Sequence, residues 1–131
     1  MRDVWNATHE ELRDWAYTLD AMYPTEDWHL AVAREDNAEL IFGFASDTNC
    51  PSRFFFLWCL YLFVGDAWRT EFRAYPKHFI ENILSLSSDA APSYIVRWAT
   101  RSQALLKTGV GYTYDDWCDG ALARREQDAS G

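Results

Sequence analysis

Ser52-Arg-Phe-Phe-Phe-Leu-Trp-Cys-Leu-Tyr-Leu-Phe-Val-Gly-Asp-Ala-Trp-Arg69 is the stretch whose reading decides the fold. Every position from Phe54 to Val64 is apolar or aromatic. A strand typically ends after about 5–6 residues, so the run is too long for one. It is also far short of the ~20 apolar residues that cross a bilayer. A helix that is apolar all the way round is buried all the way round. The run therefore reads as a central helix, residues 52–73, with the rest of the chain packed on it.

Downstream, Phe79, Ile80, Ile83 and Leu84 mark one amphipathic helix, and Tyr94, Ile95, Trp98, Ala99, Ser102, Leu105 and Leu106 a longer one. Gly109 or Gly111 falls where that helix would stop. Thr113 opens a last short helix carrying Trp117 and Leu122. Upstream, Thr8-His-Glu-Glu11 has the form of a capping box, in which the Thr hydroxyl and the Glu carboxylate satisfy each other's free amides. Leu12, Trp15, Ala16, Leu19, Met22 and Tyr23 then recur at helical spacing up to Pro24, and Thr25 reads as the next cap.

Residues 28–44 admit two readings. Trp28–Ala33 and Glu39–Phe44 could pair as a hairpin, or Asn37 could open a helix with Leu40, Ile41, Phe44 and Ala45 on one face. Helix is the reading taken, because a lone two-stranded hairpin is marginal and no other strand is in sight. Phe44–Ser52 also resembles Leu86–Ser93: an apolar helix end, Ser-Asp, a short turn, then Pro-Ser opening an aromatic helix with Pro at its first position. Together these readings give an all-α protein, a compact bundle of about five or six helices in antiparallel hairpins around a buried central helix. Residues 1–124 are expected to form a single domain and 125–131 a flexible tail.

Composition bounds the function. With 49% hydrophobic and 17% aromatic residues among 131, and seven tryptophans, there is ample core material and disorder is excluded for most of the chain. Some of so many rings are expected at a surface, where Trp and Tyr favour contacts. A formal charge of −8 argues against nucleic acid, which is bound through cationic side chains, and against anionic membranes. It suits a basic protein partner, although acidity also serves plain solubility. Three cysteines, Cys50, Cys59 and Cys118, make an odd set without CxxC spacing, and the N-terminus lacks an apolar leader core; a cytoplasmic protein with free thiols is expected.

Little in the chain points to chemistry. His9, His29 and His78 are scattered, His9-Glu-Glu lacks the second histidine of a zinc-helix motif, and no metal or other cofactor is expected. No nucleophile elbow or phosphate loop occurs, so no catalytic residue is assigned. Cys50, placed before Pro51 at a helix start, is the one thiol whose setting could activate it. Asp115, Asp116 and Asp119 cluster around Trp117, just after Tyr112 and Tyr114. Acids in a first helical turn complement the helix dipole without any partner. Yet Asp116 and Asp119 share a face and repel, which suits a site that meets cations, so these six residues are the candidate partner site. Asp66, following the apolar run, needs a cation if buried, and Arg69 three residues on, or Arg97 or Arg101 from the later helix, could supply it; the alternative is a polar lining to a ligand pocket.

The functional expectation is a non-enzymatic protein-interaction module that neutralises a basic partner, in the manner of immunity proteins or antitoxins. The alternative is a helical domain binding a small ligand in an apolar pocket lined by Trp and Tyr.

Overall fold

The computed structural model describes residues 1–130, and among these all regular structure is helical. The order is α1 (His9–Ala16), α2 (Trp28–Val32), a 3₁₀ turn (Glu35–Asn37), α3 (Ala38–Ser46), α4 (Arg53–Arg69), α5 (Lys77–Ser85), α6 (Ser93–Thr108), α7 (Tyr114–Trp117) and α8 (Ala121–Ser130). Residues 28–44 are thus α2, the turn and most of α3, not a hairpin. The count exceeds five or six because α2 and α7 are single turns of five and four residues.

α4 is the core. Twelve of its seventeen residues are buried, and α2, α3, α5, α6, α7 and α8 all pack on it. α1 reaches it through Trp15, whose ring meets Phe55 at 5.1 Å and Phe56 at 5.9 Å between centroids. Trp28 stacks on Phe55 at 5.3 Å and meets Trp15 edge-on at 4.6 Å. Such contacts add roughly 0.5–1.5 kcal/mol per pair beyond area burial. Most of the rings are therefore fully or partly packed inside the protein, while Trp5, Tyr17, Tyr23 and Tyr114 are exposed, in line with the expectation that some face outward. On α4 itself Trp58 and Trp68 are only half-buried; Trp58 donates its Nε1–H to the Cys118 carbonyl at 2.9 Å, tying α4 to the α7–α8 junction.

Several boundaries depart from the sequence reading, among them the end of the central helix, at Arg69 and not at residue 73. The capping box of α1 is present in both halves, but the helix stops at Ala16, not at Tyr23. Thr18 turns its hydroxyl back onto the Asp14 carbonyl at 2.7 Å, and Asp20 takes a left-handed φ of 54° that no helix continues through. Asp27, not Thr25, precedes α2, also in the left-handed region. The two prolines read as first helical residues stand outside their helices, Pro92 at the cap of α6 and Pro51 one residue before Ser52, the cap of α4. Asn37 precedes α3 without capping it: its Nδ2 donates to the Val32 carbonyl at 2.9 Å and its Oδ1 accepts from His9 Nε2 at 3.0 Å, binding α1 to α2. Finally, residues 125–130, expected as a flexible tail, are the second half of α8. Glu126 is buried there and accepts from Arg97 Nε of α6 at 2.7 Å, so the domain boundary expected at 124 falls inside a packed helix.

The two long helices end in opposite ways. α6 stops at Gly109, whose φ of 70° is free for glycine, and a Cβ there would run into the Trp68 ring. α4 stops in the same hydrogen-bond pattern as a glycine-capped helix: the Phe72 amide reaches the Ala67 carbonyl at 2.7 Å and the Glu71 amide reaches Trp68 at 3.2 Å. Here, however, the left-handed residues are Glu71 (φ 54°) and Phe72 (φ 65°). A left-handed L-residue costs about 1–2 kcal/mol, and glycine's extra chain entropy takes back about 0.5–1. Glu71→Gly is therefore expected to stabilise by about 0.5–1 kcal/mol, whereas Gly109→Ala should destabilise by about 1–2 kcal/mol or more through the same conformational penalty plus the clash. Equilibrium urea unfolding reads both. A lowered midpoint for Glu71→Gly would show that the α4 cap is not strained.

Candidate functional site

The C-terminal residues singled out in the sequence do not form one surface. Trp117 is buried, edge-on to Tyr61 at 5.2 Å, and so belongs to the core, not to a partner. Asp116 is held twice: Arg125 pairs with its carboxylate at 3.1 Å, and its amide donates to Thr113 Oγ1 at 3.1 Å. Tyr114, Asp115 and Asp119 are exposed, and Tyr112 is half-buried.

Tyr112 and Tyr114 instead join a polar cluster at the end of α4. Arg69 donates Nε and Nη2 to Asp66 Oδ1 at 3.1 and 2.9 Å, and its guanidinium lies 5.9 Å from the centre of the Tyr114 ring. Cys118 Sγ lies 3.5 Å from the same carboxylate oxygen and 3.6 Å from the Tyr112 hydroxyl. The cluster closes because Gly65 has no side chain: a Cβ there would collide with Trp117 and Cys118, so only glycine lets α7 settle on α4. Asp66 is largely buried while Arg69 reaches it from solvent, and Arg97 and Arg101 are engaged elsewhere, with Glu126 and the Tyr61 hydroxyl.

The thiols are held in their neutral form. Burial pushes Cys118 up to about 11, with the Asp66 charge acting in the same direction. Cys50 is buried, donates to the Ala16 carbonyl at 3.3 Å, and is also raised by burial. This corrects the reading of Cys50 as an activated thiol: a helix start lowers a thiol's pKa only where the thiolate is solvated or paired. Cys59 lies inside α4, with burial again raising it. Among the described residues no three His, Cys, Asp or Glu side chains group closely enough to hold a metal ion. Nor is any helix long and apolar enough to cross a membrane.

Charge and exposed apolar side chains are divided unevenly along the chain. Residues 1–50 hold eleven of the twenty acids and only three of the twelve bases, whereas residues 51–131 hold nine of each. The whole net charge thus resides in the first fifty residues. Nine of those eleven acids are exposed, and among the described residues their one ion pair is Arg34 with Asp36 at 3.2 Å. The same segment carries seven of the ten large apolar side chains that face solvent: Met1, Trp5, Tyr17, Leu19, Met22, Tyr23 and Leu30. Leu19 is 78% exposed and Met22 86%, three residues apart on one loop; Val110, at 82%, is the comparably exposed apolar side chain elsewhere.

The loop bearing them is pinned, not loose. Trp15 Nε1 donates to the Met22 carbonyl at 3.0 Å, the Tyr23 ring stacks on Trp15 at 6.0 Å, and the Tyr17 hydroxyl donates to Asp47 at 2.6 Å. That last bond pushes the Tyr17 phenol up to about 12 and holds Asp47 below the usual carboxylate range. Other bonds knit the segment into one unit: Trp28 Nε1 to the Val4 carbonyl at 2.8 Å and Arg34 to Asn6 at 3.1 Å. Beside the loop run two clefts of about 440 and 340 Å³ that share Tyr23, Phe54, Phe55 and Gln127, with Trp15 on one and Trp58 on the other. His29, buried and stacked on Trp58 at 3.9 Å, has its pKa lowered by burial. Helical periodicity hid this surface by assigning Leu19, Met22 and Tyr23 to a buried face. The signal that finds it is the division of charge between the two parts of the chain.

Compared with known proteins, the chain matches no family model, no curated protein and no solved structure.

The thiol environments make a direct prediction. At pH 8, iodoacetamide should leave all three cysteines of the native protein unmodified over the time that a small thiol reacts fully, and modify three per chain in urea, as read by intact mass. Rapid native labelling of Cys50 would restore it as a reactive group.

Proposed function

We propose that this protein is a non-enzymatic protein-interaction module that docks a basic protein on residues 1–50, with Leu19, Met22 and Tyr23 as its apolar contact. One observation carries the reading: the entire net charge and most of the exposed apolar side chains fall in the same fifty residues. Each has a separate part in association. Unpaired carboxylates set up a field that steers a cationic partner and repels acidic ones, which raises the rate of encounter. Exposed Leu, Met and Tyr add desolvation area once contact is made, which slows dissociation. The adjoining 340 Å³ cleft beside Trp58 gives an apolar side chain of the partner somewhere to enter, as interface anchors generally do. A basic enzyme that itself acts on a polyanion would be occluded by such a face, which is the immunity or antitoxin form of the reading.

The test starts by capturing the partner from lysate of the source cells at low salt and eluting it at high salt. Against that partner, the triple change Asp20→Asn, Glu26→Gln and Asp27→Asn should slow association about tenfold at low salt and little at high salt. The pair Leu19→Ser and Met22→Ser should mainly speed dissociation, with far-UV circular dichroism unchanged because neither side chain is packed. The matched triple Asp115→Asn, Asp116→Asn and Asp119→Asn serves as the control. If only this control weakens binding, the docking face is at the C-terminal end and the proposal is wrong.

A further inference from the structure

The chain has ten arginines but only two lysines, Lys77 and Lys107, and both line a single cleft of about 550 Å³ between α5 and α6. They stand on opposite walls, Lys77 at the first residue of α5 and Lys107 in the last turn of α6. Neither is in an ion pair; among the described residues every such pair is made by an arginine. Leu84 from α5, Leu106 from α6 and Phe72 from the end of α4 supply the apolar lining over the buried Ile80, with Ser85 and Gln103 as its neutral polar members. Glu81 is the one carboxylate on the lining, so the cleft carries a net positive charge in an otherwise acidic protein.

Helix stability does not account for this arrangement. Lys107 sits where a cation favours the helix dipole, but Lys77 sits in a first turn, where a cation opposes it and an acid is the usual occupant. The left-handed turn at Glu71 and Phe72 that caps α4 also places Phe72 on the cleft lining. A first-turn cation that brings no gain in helix stability is the departure from local rules that marks the cleft as a candidate site.

We propose that this cleft binds a small amphiphilic anion, an apolar chain or ring bearing one carboxylate, with its body on Phe72, Leu84 and Leu106 and its head between the two lysines. The volume lies within the range of small-molecule sites. Two ammonium groups attract an anionic head as compact point charges and, unlike an arginine fork, impose no fixed geometry on it. This site lies in the electroneutral part of the chain and is independent of the docking face.

Two lysines make the test specific. Reductive methylation with ¹³C-formaldehyde keeps their charge and gives two lysine signals, besides that of the N-terminal amine, in a carbon–proton correlation spectrum. Titration with sodium decanoate should move both lysine signals together and to saturation, while decyltrimethylammonium and 1-decanol should bind at least tenfold more weakly. By calorimetry on unmethylated protein, Lys77→Gln with Lys107→Gln should weaken decanoate at least tenfold, Leu84→Trp should abolish its binding by filling the cleft, and Glu81→Gln should tighten it. Should decanoate move neither signal, or should the cationic or neutral amphiphile bind as well, the proposal fails. Glu81→Gln keeps the test decisive if a cleft-filling variant does not fold.

Discussion

The burial of α4 on every side is the constraint on which the rest of the structure depends. A fully buried Leu or Phe contributes roughly 1.5–3 kcal/mol, and twelve buried residues on one helix supply the common surface for six others. The polar atoms that accompany it are satisfied locally or at its ends. Asp66 takes Arg69, Tyr61 takes Arg101, and Trp58 sends its indole N–H to Cys118. Glycines stand where close approach demands them, with Gly65 under α7 and Gly109 against Trp68.

That economy explains what is left outside. With the rings of Trp15, Trp28, Phe55 and Phe56 interlocked on α4, the interior does not need Leu19, Met22 or Tyr23, and a pinned turn holds them in solvent. The acids around them have no ion-pair partner, whereas three of the nine in the rest of the chain, Asp66, Asp116 and Glu126, are matched to an arginine and the remainder are balanced in number by cations. Charge neutralised within the fold has a structural role and explains itself. Charge left unneutralised beside exposed apolar groups has no such explanation, and the functional proposal is built on that difference.

What was legible in the sequence was what depends on near neighbours or on sheer excess. Phe54–Val64 reads as a buried helix because no other element tolerates that run, and the capping box at Thr8 reads because both of its bonds span three residues. What was not legible depends on distant partners or on single backbone angles. The periodicity of Leu12 to Tyr23 continues past Ala16, but the backbone does not, because Thr18 and Asp20 break it. Glu126 looks like part of a polar tail until Arg97, twenty-nine residues away, is placed beside it. Trp117 looks like an exposed contact among acids until Gly65 admits it to the core. The candidate site was misplaced for the same reason: a local cluster of acids was visible, whereas the imbalance between fifty residues and the remaining eighty-one appears only when charge is counted by segment.

The most direct measurement of the central claim is amide hydrogen exchange of the protein alone and saturated with its captured basic partner. The account predicts new protection in the complex across residues 14–30, from the last turn of α1 through the loop to α2. It also predicts no change across 112–119, and α4 as the slowest-exchanging segment in both states. Protection confined to 112–119, or none anywhere in residues 1–50, would contradict it.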